Sequence, residues 1–410
     1  MSAVSVSTKL SVPSAPWKPG VKPVPRRGLS RISEIKTRHT VVAVAAFLSR
    51  CFQGSRAAHK ALPKGFEENG PQLFRRGLLL STLAPSIAKA EHLASLTSEA
   101  LKNAQGKVAV ITGATSGVGL EAARVLAANG CDVYVAGRTL EKAQKAAADV
   151  AASATGQVFP MELNLASLDS VRRFASEWDS SIRRPVDILA CNAGLALGQD
   201  QKEPLFTEDG FELTVGTNHL GHFLLANLMK KQLAPEARVV VTASSVHNPA
   251  TGDPGKQATL GDLSGLGKFM VDGSSYDAGK AYKDSKLCNV LFTLEFARRL
   301  KREGSNITVN CFSPGLIPSK TFFRYQNEGF SSAFAFAAEN ILKIAETPQF
   351  GGDTLVFMAL DPSLKQKTGC FYSAIPPGKH QFVEDTPSQE ASNEIEAGEL
   401  WTRSAALVGL

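Results

Sequence analysis

Long apolar runs, paired cysteines and, over the first sixty-odd residues, acids are what this sequence lacks. No run of about 18 apolar residues follows the N-terminal region, so no transmembrane helix is expected. The six cysteines, Cys51, Cys131, Cys191, Cys288, Cys311 and Cys370, include no C-x-x-C pair. That argues against a disulfide framework or a zinc site and for buried, reduced thiols. From Met1 to Lys64, one acid, Glu34, stands among 12 Lys and Arg in a Ser-, Pro- and Ala-rich stretch. Such a segment cannot bury enough apolar area to fold alone, and it has the composition of an organelle transit peptide. The whole chain is 43% hydrophobic and only 20% charged. This excludes a disordered or collagen-like protein, and no nucleic-acid partner is expected.

The net charge of +7 is unevenly placed. Residues 1–105 hold 16 Lys+Arg against 5 Asp+Glu, and the remainder 29 against 33. A basic leader, 1–105, therefore precedes a mildly acidic domain, 106–410. Inside the leader, Arg75-Arg76, an uncharged stretch from Gly77 to Ala88, and Ala88-Lys89-Ala90 follow one another. They read either as a thylakoid-directed export signal or as a hydrophobic N-terminal helix of the mature protein.

Lys107 to Thr112 is a short β-branched run, followed by Gly113, Ala114, Thr115, Ser116, Gly117, Val118 and Gly119, which open an amphipathic stretch ending at Asn129-Gly130. Strand, Gly-rich turn and helix N-terminus make a pyrophosphate site, because backbone N–H groups and the helix dipole both favour an anion there. A second strand, Asp132 to Ala136, ends at Gly137-Arg138-Thr139, where an acid would read the ribose of NAD. A guanidinium in that place pairs with a 2′-phosphate, so NADPH is the expected cofactor, with a solvated loop charge as the bland alternative for Arg138.

Apolar runs then lead to Asn164-Leu165, to Asn192, Ala193 and Gly194, to Ser244-Ser245 and to Pro314-Gly315. Runs without in/out alternation suit strands buried on both faces. The expected fold is α/β, a Rossmann-type doubly wound parallel sheet in one domain, with its site at the carboxyl ends of the strands and cofactor contacts from these loops.

The ordered set Thr112-Gly113-x-x-x-Gly117-x-Gly119, Asn192-Ala193-Gly194, Asn218, Ser245 and Tyr282-x-x-x-Lys286 resembles the short-chain dehydrogenase/reductase family. Tyr282 and Lys286 share a helix face, and an ammonium beside a phenol is expected to lower the phenol pKa, making Tyr282 a proton donor. Ser245 is expected to hydrogen-bond the reacting group, and Asn218 to seat a water relaying protons to Lys286. His219 and His222 are expected to pack, not to bind metal.

Ser245 and Tyr282 are 37 residues apart, much further than in ordinary members of that family, and the added segment holds Ala258 to Leu266 and Met270 to Gly273. An insertion beside a site is expected to shape substrate access. This insert, Lys280 to Cys288, Thr217 to Ala226, Asp361 to Leu364 with Gly369 to Tyr372, and the tail Ser388 to Ser392 with Leu400-Trp401 and Leu407 to Leu410 resemble light-dependent protochlorophyllide oxidoreductases over residues 106–410. The resemblance implies hydride transfer from NADPH and proton addition across the C17=C18 bond of protochlorophyllide after light absorption. Tyr282 would be proton donor or pigment orienter, and Lys286 would hold the nicotinamide ribose. It also implies a plastid, stromal-side protein bound peripherally to thylakoid or inner-membrane lipids, and homo-oligomers are compatible with the sequence.

One departure stands out. Where that family carries Tyr-Pro-Gly-Cys, this chain reads Ser313-Pro314-Gly315-Leu316. It keeps alive a dark NADPH-dependent carbonyl reductase, or a retinol-dehydrogenase-like enzyme. A non-catalytic pigment-binding module is the third reading, opposed by the intact Asn218, Ser245, Tyr282 and Lys286. Phe322, Phe323, Tyr325, Phe330, Phe334 and Phe336 crowd the segment after Gly315 and are expected to line a broad apolar pocket or touch a membrane.

Overall fold

Strand β1 (Val108–Thr112) sends Val108 and Val110 to one side of a sheet and Ala109 and Ile111 to the other, and all four are buried. Two-residue periodicity with both faces apolar is what a central parallel strand needs. β2 (Asp132–Gly137), β3 (Val158–Glu162), β4 (Val186–Cys191), β5 (Leu233–Thr242), β6 (Thr308–Ser313), β7 (Phe371–Ala374) and β8 (Phe382–Asp385) complete the sheet. Its order is β3-β2-β1-β4-β5-β6-β7-β8, parallel throughout except that β8 runs antiparallel to β7. The computed structural model describes residues 98–198, 200–268, 270–318, 325, 332 and 335–410. The leader to residue 97, with Cys51 and the Arg75-Arg76 segment, lies outside the described residues, as do Phe322, Phe323, Phe330 and Phe334.

One face is covered by α1 (Gly117–Ala128), α2 (Leu140–Ala151) and α6 (Pro348–Leu360), through Leu126, Val150 and Leu355. The other takes α3 (Leu168–Glu177), α4 (Gly221–Met229), α5 (Ala278–Arg302) and α7 (Glu394–Val408), through Phe174, Leu224, Leu291 and Leu400. The doubly wound expectation is met. Because β1 is flanked by β2 and β4, the chain reverses its order there, and a crevice opens at the strands' carboxyl ends.

Trp401 anchors α7. Its ring lies 4.8 Å from Phe223, 5.6 Å from Phe296 and 5.9 Å from Phe292, with the Arg299 guanidinium 4.5 Å from its centroid. The folded unit begins before the expected boundary at Gly106. Ala100 and Ala104 are fully buried and the Asn103 amide donates to the Leu360 carbonyl at 3.3 Å, so the last residues of the expected leader pack on the domain.

The insert is not a loop draped over the surface. Ala258, Leu260, Leu263, Leu266, Met270 and Val271 are all buried, and most join the core that α5 and α7 share. A buried cluster clasps it to α5: Lys280 Nζ lies 3.0 Å from Asp272 and 2.6 Å from Asp284, and the Thr259 N–H donates to Asp284 at 3.0 Å. Burial pushes the Asp284 carboxyl up, with Lys280 opposing. The earlier part, around Asp253-Pro254, reaches the residue next to Tyr282: Lys283 donates to the Pro254 carbonyl at 2.8 Å and pairs with the Asp253 carboxylate at 2.7 Å.

Candidate active site

The turn after β1 is built for close approach. Gly113 has φ +66, and a Cβ on it would stand 2.9 Å from the Ala193 Cα; a Cβ on Gly119 would stand 2.5 Å from the Asn192 amide. The loops after β1 and β4 thus interlock only with glycine at both positions. Thr112 ties them together. Its hydroxyl accepts the N–H groups of Asn192 at 2.8 Å and Ala193 at 2.9 Å, while the Asn192 amide donates to the Thr112 carbonyl at 3.0 Å. Ser116, the N-cap of α1, makes no side-chain cap bond, and a Cβ on Gly117 would meet nothing within 4 Å. An open helix N-terminus beside exposed backbone suits a pyrophosphate.

At the end of β2, Gly137 is packed against Thr115, and Arg138 is exposed, with no hydrogen bond or ion pair among the described residues. Its guanidinium is available to a phosphate. Val118 and Pro314 both approach Gly351 at the start of α6, and Gly315, φ +84, abuts the Glu346 side chain, so the loop after β6 closes on the first turn of α1. Asn164 and Leu165 follow β3: the Asn164 amide donates to Glu208 at 3.1 Å, and Gly221 backs directly on the Leu165 carbonyl.

Asn218, fully buried, spends its side chain on backbone and helix. Its oxygen accepts the Leu195 N–H at 2.9 Å, and its amide donates to the Leu195 carbonyl at 2.9 Å and the Ser285 hydroxyl at 3.0 Å. The Asn218 side chain thereby clamps the Asn192–Leu195 loop. The Asn218 carbonyl meets His222 Nδ1 at 3.0 Å. A carbonyl only accepts, so Nδ1 carries the proton and Nε2, 2.8 Å from Thr112, accepts the threonine hydroxyl. Burial brings His222 down to about 4, keeping it neutral. His219 bonds Ser404 of α7 at 2.9 Å and is brought down to about 3 by burial. Both histidines are buried and hydrogen-bonded within the fold.

Lys286 is buried on α5. Its Nζ donates to the Thr242 carbonyl at 2.9 Å, and Gly194 leaves the space beside it, since a Cβ there would lie 3.6 Å away. Desolvation brings its pKa down to about 8. Tyr282, one turn earlier, has its phenol pushed well above the ordinary value by burial, with the Ser244 hydrogen bond pulling the other way. The phenol is thus shifted up, where the sequence predicts a lowered pKa, because desolvation of the phenolate outweighs the Ser244 hydrogen bond.

The Tyr282 phenol has the Ser244 side chain as a hydrogen-bond partner. Ser245 instead opens the short 3₁₀ turn Ser245–His247 and accepts the Asn248 N–H through its carbonyl. Strand parity was the signal available. Thr242 faces the site, its hydroxyl 3.2 Å from the Asn192 oxygen, and with Ser244 still extended at φ −165, the residue two further on points the same way.

Ser313 is buried at the end of β6 opposite Ser373, and Leu316 is half-buried, bridged to Ala345. Cys191 and Cys288 are buried; desolvation pushes Cys191 to about 12 and Cys288 well up, which leaves protonated, unreactive thiols. Of the aromatic segment, Tyr325 packs against the cluster of Leu195, Leu197 and Ala278, and Phe336 is exposed.

Residues 107–252 match the family model described as short chain dehydrogenase. The chain is 38% identical to a chloroplastic protochlorophyllide reductase of Cucumis sativus, over 82% of this chain and 84% of that one. It is 41% identical to the chloroplastic protochlorophyllide reductase A of Oryza sativa subsp. japonica, over 74% and 81%. A solved putative uncharacterized protein from Mycobacterium paratuberculosis is 30% identical, with a TM-score of 0.56 over 74% of this chain and 94% of that one.

Proposed function

The chain belongs to the protochlorophyllide reductase family of short-chain dehydrogenases, nicotinamide-dependent oxidoreductases, and from that premise we propose that it reduces the C17=C18 double bond of protochlorophyllide with NADPH in a light-driven step. The single observation that carries the chemistry is the Ser244–Tyr282–Lys286 arrangement beside the interlocked Gly113–Ala193 loops. NADPH, when bound, supplies the hydride.

Gly113, Thr115, Ser116, Gly117, Val118 and Gly119 fit its pyrophosphate, and unpaired Arg138 fits its 2′-phosphate. Asn164 and Leu165 would border the adenine end, while Asn192, Ala193, Gly194, Pro314 and Gly315 would border the nicotinamide end. Lys286 would hold the ribose hydroxyls. Tyr282, kept in its acid form by burial, delivers the proton to the carbon that does not receive the hydride, and Ser244 orients its hydroxyl. The Asn218 clamp fixes the loop that carries Asn192, Ala193 and Gly194.

The light requirement and the choice of double bond follow from the resemblance, and no residue encodes them. Ser313 and Leu316, standing where the family carries Tyr and Cys, favour a second reading, a dark NADPH-dependent carbonyl reductase. We place the protein in the plastid, consistent with its acid-poor leader and the chloroplastic relatives. Reduced cofactor is supplied on the stromal side, so we place it there, peripherally bound to thylakoid or inner-membrane lipids. Mass spectrometry of the mature N-terminus tests the leader: a start near Glu91 favours export through the Arg75-Arg76 segment, and a start before Arg75 excludes it. NADPH oxidation with protochlorophyllide in light and darkness, beside a panel of ketones, separates the two activities.

A further inference from the structure

His247 lies three residues past Ser244, 1% exposed, and both ring nitrogens are engaged by backbone. Nδ1 is 2.7 Å from the Ser244 carbonyl, which only accepts, so Nδ1 carries the proton. Nε2 accepts the Ser388 N–H at 3.2 Å. The ring is therefore one neutral tautomer, and Phe371 packs against it at 4.9 Å, nearly perpendicular. Ser388 opens the C-terminal segment, where its hydroxyl accepts the Ala391 N–H at 3.1 Å. Two residues on, the Glu390 carboxylate accepts the Thr259 hydroxyl at 2.9 Å and the Leu260 N–H at 2.6 Å, and the Thr259 N–H in turn reaches Asp284 on α5, two residues past Tyr282. One short segment near the C-terminus thus touches both strings of chain that carry the proton-transfer pair: Ser244 through His247, and the Tyr282 helix through Glu390, Thr259 and Asp284.

We propose that His247 is a positioning residue for proton transfer: anchored on the Ser388 N–H, it holds the Ser244 carbonyl and so keeps the Ser244 hydroxyl on the Tyr282 phenol. Ser244 lies two residues past Thr242, the last paired residue of β5, and its only other described side-chain bond is a long one, 3.4 Å, from the Val246 N–H. The strand therefore does not fix it. Displacement of a catalytic partner by about 1 Å costs on the order of a hundredfold in rate, which a tethered carbonyl prevents. The inference rests on the reading of Tyr282 as proton donor.

The experiment compares His247→Leu and His247→Asn in the full chain, measuring turnover per flash with protochlorophyllide, KM, the NADPH dissociation constant and the thermal midpoint. An asparagine amide reproduces the donor at Nδ1, and leucine reproduces neither contact. The leucine variant is expected to lose about tenfold or more in turnover with KM and NADPH binding unchanged, and the asparagine variant to recover to within about threefold of wild type. Unimpaired turnover in the leucine variant, equal losses in both variants, or a loss matched by weakened NADPH binding overturns the inference. If the leucine variant does not fold, Ser388→Pro against Ser388→Ala tests the same link, because proline alone removes the N–H. The proline variant must turn over more slowly than the alanine one, and equal rates overturn the proposal. A wild-type protein with no pigment turnover would instead overturn the functional reading on which the inference stands.

Discussion

The Lys286 ammonium lies 5.6 Å from the centroid of the Tyr282 ring and is bonded to the Thr242 carbonyl, 2.9 Å away, so the lysine is held over the ring by the end of β5. The phenol's partner is Ser244. On the proposed reading this divides the labour: Tyr282 would carry the proton, Ser244 would aim it, and Lys286 would meet the cofactor hydroxyls. Tyr282→Phe removes the donor and nothing else, so turnover should fall by about a hundredfold or more while NADPH binding, read by fluorescence titration, changes less than twofold. Unchanged turnover would refute the donor role.

The two adjacent serines should behave differently. Ser244→Ala leaves the buried phenol without its partner and should cost about tenfold or more in turnover. Ser245→Ala, on the following turn, should stay within about threefold. A reversal of that order would return the role to Ser245.

Arg138 is exposed and unpaired among the described residues, so Arg138→Ala should leave stability alone. Loss of charge-assisted bonds to a 2′-phosphate should weaken NADPH by about tenfold or more and NADH hardly at all. Calorimetric titration with both cofactors checks this; equal losses would mean that Arg138 does not read the phosphate.

Burial brings the Lys286 pKa down from 10.5 to about 8. Its positive charge therefore disappears as pH rises through about 8, and turnover that needs the ammonium should be level below pH 7 and fall above 8. Stability moves the other way. The folded state binds fewer protons than the unfolded one between the two values, so this group's contribution to stability rises from pH 8 to 10.5. A flat rate profile between pH 7 and 9.5 would contradict the assignment.

Much of this was legible in the sequence. The β-branched run, the Gly113–Gly119 turn and the returning strand specify the dinucleotide half through local backbone physics, and the four-residue spacing of Tyr282 and Lys286 specifies a shared helix face. What the sequence hid depends on burial and on long-range contacts. The insert's turn-rich composition conceals apolar residues at Leu260, Leu263, Leu266 and Val271 that face the core only once α5 and α7 are in place. The sign of the Tyr282 shift follows from desolvation, which spacing cannot report. The choice between Ser244 and Ser245 is a matter of strand parity. His247 carries no motif, since its partners are backbone groups on either side of a 141-residue separation.

The most direct test is a flash experiment on the full chain with NADPH and protochlorophyllide, recording absorbance before and after illumination. The account predicts a light-dependent red shift from protochlorophyllide to chlorophyllide, absent in darkness and strongly reduced in Tyr282→Phe. No shift after the flash, with ketone reduction proceeding in the dark, would contradict it.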